Sequence, residues 1–136
     1  YVPTQQDRVQ PLRVLLAEDQ PVGRLYATRL LERLGHQVTA VEDGKQALAA
    51  WAEQPYDLIL MDVQMPGMDG IAATTAIRLS EKEQQRHTPI IALTAHALTE
   101  DRGKLMGQGF DGYVPKPIDV EGLVMEINRL LAAACN

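Results

Sequence analysis

The chain has 136 residues, enough for one domain with a substantial core and too few to suggest two. A net charge of -5, with no dense Lys/Arg stretch, argues against direct binding to nucleic acid. No apolar run approaches the roughly 18 residues of a membrane helix and the N-terminus lacks a charged-then-apolar signal pattern, so no direct membrane contact is expected of this segment.

The single cysteine, Cys135, cannot close an internal disulfide, which fits a reducing, cytoplasmic setting. The sequence begins at Tyr1, and residues 1–10 are polar and aperiodic. They read as a linker entering one domain over 11–134, within a longer parent protein.

Apolar runs alternate with helix-like stretches along the chain. Strands are predicted over 12–17, 37–41, 57–62, 89–94 and 112–115, and the runs at 14–17, 58–61 and 90–93 have the uniform hydrophobicity of strands covered on both faces. The first helix opens at Pro21, which suits a first helical position, and stops at Gly35. It places Ala27, Leu30, Leu31 and Leu34 on one face and Arg24, Arg29 and Glu32 on the other. The second spans about 44–53, with Trp51 on its inner face and Pro55 beyond its end. The third follows the cap Asp69 and reaches Ser80, before a polar loop from Glu81 to Thr88. The fourth covers about 98–107 and ends in the glycines Gly107 and Gly109. In the fifth, capped by Asp119, Val120, Leu123, Val124, Ile127, Leu130 and Leu131 form one apolar stripe.

This rhythm predicts an α/β, flavodoxin-like (βα)5 fold: a doubly wound, five-stranded parallel sheet in the order 2-1-3-4-5 with helices on both faces. Ligands of such sheets bind beyond the carboxyl ends of the strands where the order reverses, here between strands 1 and 3. Glu18, Asp19 and Asp62 fall there.

Three carboxylates gathered within a few ångströms repel one another, and without compensation at least one pKa rises. A hard divalent cation removes the conflict, and Mg²⁺ is usually held by one or two carboxylates with several waters and a phosphate. Asp62 is the best nucleophile, because it ends a central strand and the turn from Gln64 to Gly70 can open around an incoming group. Attack on a phosphoryl group would yield an acyl phosphate. Lys116 then supplies positive charge for phosphoryl oxygens and Thr94 a hydroxyl, while Ala95 leaves the approach open. Tyr113 is placed to change rotamer as Thr94 moves, turning a local charge event into a surface change.

With these residues in place, the chain resembles a receiver domain of two-component signalling from about Leu12 to Leu131, and is most similar to the receivers of hybrid sensor histidine kinases. The motifs are LLAEDQP, LILMDVQMPGMDG, PIIALTAHAL and YVPKPI. The resemblance implies Asp62 as phosphoacceptor, with Asp19, Asp62 and the backbone carbonyl of Gln64 on Mg²⁺ and Glu18 assisting through water. It implies Thr94, Tyr113 and Lys116 as the switch and phosphate-contact set, and a cis bond between Lys116 and Pro117. It also implies that Gln64 and His96 tune the lifetime of the phosphoryl group. Such a domain takes a phosphoryl group from a histidine kinase domain and passes it to a histidine phosphotransfer domain. It catalyses its own phosphorylation and dephosphorylation and is no stand-alone enzyme; the parent would be a hybrid kinase, with an inner-membrane anchor as one arrangement.

Three departures stand out. Gln20 replaces a common Asn, Gly23 a common polar residue, and Pro115 a commoner small polar one. The first two lie where a phosphotransfer partner would dock. Pro115 removes a backbone donor, which an edge strand tolerates.

His36, His87 and His96 share no metal-ligand spacing and are expected on loops or helix ends. Met61, Met65 and Met68 read as core and turn packing. Two other functions compete. An aspartyl-phosphate phosphatase lacks support, since no second carboxylate stands two residues after Asp62 to act as general acid. A degenerate receiver used only for protein docking is disfavoured because every expected acceptor-site residue type is present.

Overall fold

In the computed structural model, residues 11–95 and 102–134 are described. The predicted linker, His96, Cys135 and the start predicted for the fourth helix lie outside them. The elements run β1 (Arg13–Ala17), α1 (Pro21–Arg33), β2 (Gln37–Val41), α2 (Gly44–Glu53), β3 (Leu58–Asp62), α3 (Gly70–Gln84), β4 (Ile90–Thr94), α4 (Arg102–Gly107), β5 (Gly112–Pro115) and α5 (Val120–Ala134). The strands pair in parallel in the order β2-β1-β3-β4-β5, as the alternation predicted.

Successive side chains of a strand point to opposite faces, and both faces of this sheet are covered. Val14, Leu16, Leu58, Leu60, Ile91 and Leu93 pack with Ala27 and Leu31 of α1 and Leu123 and Ile127 of α5. Leu15, Ala17, Ile59, Met61, Ile90 and Ala92 pack with Trp51 of α2 and Ala73 and Ile77 of α3. Met65 is buried in the second cluster and Met68 packs against it, as expected of packing residues. The apolar faces predicted for α1 and α5 both lie against the sheet.

α3 departs from expectation. It runs to Gln84 rather than Ser80, so the first four residues of the predicted polar loop are helical. The cause is Glu81, which is buried and accepts from Arg78 Nη1 at 2.6 Å and from the Thr88 backbone N at 2.5 Å. Arg78 also donates to the carbonyls of Gly109 and Thr88 and to Asp111 Oδ2, tying α3 to the segments entering β4 and β5. The helix closes at Gln85 in the left-handed conformation, with φ 52°.

Candidate functional site

Strand register assembles the site. Ala17 pairs with Met61, Asp62 with Leu93, and Thr94 with Pro115. Glu18, Asp62, Thr94 and Lys116 therefore emerge at one edge of the sheet, where the chain leaves β1 and β3 in opposite directions. Asp19, Gln20, Asp62, Gln64, Thr94 and Lys116 line a pocket of about 270 Å³ there, with Ala95 at its wall. The sequence-predicted residues of the described part of the chain are thus gathered, except that Tyr113 lies back along β5.

The Lys116 ammonium sits between two carboxylates, 2.8 Å from Asp62 Oδ2 and 2.8 Å from Glu18 Oε1. Glu18, Asp62 and Thr94 are all buried. Asp62 Oδ1 accepts from the backbone N of Gln64 at 3.1 Å, so the first residue of the following turn is held to the carboxylate. The Lys116–Pro117 bond is cis.

Electrostatics follow from this crowding. Burial, then the hydrogen bond and charge of Asp62, push the Glu18 carboxyl up from 4.5 to about 7, against the opposing pull of Lys116. For Lys116 burial acts to lower the pKa, but hydrogen bonds to Asp62 and Glu18 outweigh it and the net direction is up. The conflict expected from the sequence is thus only partly relieved by one lysine.

Glu18, Asp19 and Asp62 each offer one carboxylate oxygen, all within 4.8 Å of one another. Glu18 Oε2 is buried with no hydrogen-bond partner. An orphaned buried carboxylate oxygen among hard oxygen donors is the setting that suits a cation such as Mg²⁺.

Tyr113 is half-buried opposite Ala92, on the sheet face that carries α2 and α3. Its backbone N donates to Glu126 Oε2 at 3.0 Å. His36 and His87 follow α1 and α3, remote from the acidic cluster in the sequence of elements. His36 is buried, which lowers its pKa, and its Nδ1 accepts from the Leu12 backbone N.

Two supports of the site escaped the sequence reading. Arg24, assigned to the outer face of α1, turns back so that Nη1 donates to the carbonyls of Glu18 and Asp19 at 3.0 and 3.3 Å. Gly70, the first residue of α3, lies so close to β3 that a Cβ there would overlap the Asp62 carbonyl. An arginine one turn into the first helix and a glycine directly after the Asp69 cap were the available signals.

The family model for the response regulator receiver domain matches residues 14–128. Sensor protein GacS of Pseudomonas syringae pv. syringae is 47% identical over 116 residues, which cover 85% of this chain and 13% of that protein. The receiver domain of sensor histidine kinase PA1611 from Pseudomonas aeruginosa, solved with a magnesium ion coordinated in its active site cleft, superposes with a TM-score of 0.74 at 40% identity, covering 90% of this chain and 95% of that one. The Saccharomyces cerevisiae receiver domain of Ssk1, solved with the histidine phosphotransfer protein Ypd1, superposes with a TM-score of 0.78 at 28% identity, covering 87% of each. The chain belongs to the response regulator receiver domain family and is most similar to receivers carried by hybrid sensor histidine kinases. It spans a small fraction of the length of those kinases. Among the described residues, no helix is long and apolar enough to cross a membrane.

Proposed function

We propose that residues 11–134 form a phosphoacceptor receiver in which Asp62 takes a phosphoryl group from a phosphohistidine and relays it to a histidine phosphotransfer domain. The observation that carries this reading is the Lys116 ammonium held 2.8 Å from Asp62 Oδ2, in a pocket that Asp19 and Thr94 also line. An Asp62 oxygen attacks phosphorus while the P–N bond of the donor breaks and the electron pair returns to the imidazole. Bound Mg²⁺ would neutralise the carboxylates and the phosphoryl oxygens, held by Asp19, Asp62 and the Gln64 carbonyl with Glu18 acting through water. Lys116 then leaves Glu18 for a phosphoryl oxygen, and Thr94 donates its hydroxyl to another. Movement of Thr94 repositions Tyr113, and Gln64 and His96 set how fast water reaches the acyl phosphate.

The surface beside the pocket suits a helical protein partner. Val22, Leu25 and Tyr26 of α1 are 82%, 52% and 50% exposed, a contiguous apolar strip flanked by Arg29 and Arg33. A hybrid histidine kinase is the parent this reading favours. The test is transfer of labelled phosphate from a histidine-phosphorylated phosphotransfer protein to the chain and to its Asp62→Asn variant. Label on the wild type alone supports the proposal, and tight binding of both without label would favour a docking module.

A further inference from the structure

We infer that Gly23 is a positioning residue: the side chain missing from the first turn of α1 gives the Glu18 carboxylate its seat and, through Glu18, sets the affinity of the acidic cluster for a divalent cation. This inference rests on the reading of Glu18, Asp19 and Asp62 as a cation site.

A Cβ at Gly23 would lie 2.7 Å from Glu18 Oε1. Non-bonded carbon and oxygen do not approach that closely, so any side chain at this position displaces the carboxylate. The same Oε1 is 2.8 Å from Lys116 Nζ, and Glu18 is only 4% exposed. The oxygen is thus confined between α1 and the lysine. The second oxygen, Oε2, is buried without a hydrogen-bond partner. A carboxylate is planar and rigid, so moving Oε1 turns Oε2 with it.

Backbone conformation does not explain the glycine. Gly35, Gly67 and Gly109 have positive φ, but Gly23 lies within α1 and is not among them. Within helices glycine is the poorest residue after proline. What the position requires is room, and the atom that occupies the room is Glu18 Oε1.

The test is a double-mutant cycle on the metal-free domain: wild type, Gly23→Ala, Glu18→Asp and the double variant, each titrated with Mg²⁺ and followed by backbone amide shifts. Gly23→Ala is expected to weaken Mg²⁺ binding about tenfold, the scale on which supports of metal ligands act. Glu18→Asp withdraws the carboxylate by one methylene, so adding Gly23→Ala to it should change the Kd by no more than about twofold. If Gly23→Ala alone prevents folding, recovery of the fold in the double variant supports the same contact. Unchanged Mg²⁺ affinity in Gly23→Ala overturns the inference, as does equal weakening in both backgrounds or failure of both variants to fold. A wild type that binds no Mg²⁺ refutes instead the cation site on which the inference rests.

Discussion

Lys116 and Asp62 stand 54 residues apart in the chain and 2.8 Å apart in the fold. Strand order brings them together, because β3 and β4 are neighbours, β4 and β5 are neighbours, Asp62 ends β3 and Lys116 directly follows β5. The lysine cannot balance every carboxylate around it, and several expectations follow from that shortfall.

Glu18 makes metal-free stability depend on pH. Its carboxyl is raised to about 7 from 4.5, so the folded state binds a proton that the unfolded state has released. The stabilisation is fully present below pH 4.5 and is lost as pH rises through 7. The loss is on the order of 3 kcal/mol at most. Lys116, also raised, holds its contribution throughout this window. Binding of Mg²⁺ at the proposed site would expel the Glu18 proton, so the Kd for Mg²⁺ should fall as pH rises through 7. Denaturant titrations across this range, with and without Mg²⁺, measure both slopes.

Asp62→Asn should stabilise the metal-free domain. It removes one of three mutually repelling carboxylates yet keeps an oxygen that can accept from Lys116 or from the Gln64 backbone. A gain of about 1 kcal/mol is expected, together with loss of most stabilisation by Mg²⁺. Thermal unfolding of both proteins with and without Mg²⁺ checks both parts.

Arg78→Met should behave in the opposite manner. Arg78 holds Glu81, Asp111 and two backbone carbonyls at the amino ends of β4 and β5, away from the pocket. Its loss removes the 2.6 Å ion pair of the buried Glu81 carboxylate, leaving only His87 Nδ1 at 3.8 Å, and should cost about 3 kcal/mol. Mg²⁺ affinity should not change, which a titration of the folded variant would establish.

Leu25→Asp separates docking from chemistry. Leu25 is exposed on α1 within the apolar strip and does not line the acidic pocket. Transfer from a histidine-phosphorylated protein should slow about tenfold or more, as for a central interface residue. The rate with a small-molecule phosphodonor should stay at the wild-type value.

Much of this was legible in the sequence because period and chemistry agreed. Uniform apolar runs ending in Glu18, Asp62 and Thr94 gave both the buried strands and the polar edge. The stripe from Val120 to Leu131 gave α5. What misled was charge: Glu81 to Gln84 looked like a solvated loop, but Glu81 is buried because Arg78, one turn earlier, and the Thr88 backbone satisfy it. Such a partner is visible only once α3 lies against β4. The turn-back of Arg24 and the closeness of Gly70 to the Asp62 carbonyl are likewise properties of packed elements, with no period of their own. Pro115 ends β5, an edge strand of the sheet, the place where a missing backbone donor was expected to be tolerated.

The central claim is that Asp62 accepts a phosphoryl group. The most direct measurement is the intact mass of the metal-free domain after incubation with a small-molecule phosphodonor, with Mg²⁺ or with a chelator, beside Asp62→Asn. The account predicts one phosphoryl adduct, on the wild type alone and only with Mg²⁺, and its loss on treatment with hydroxylamine, which cleaves acyl phosphates. An adduct that persists in Asp62→Asn, or a wild type that binds Mg²⁺ and gains no mass, would contradict it.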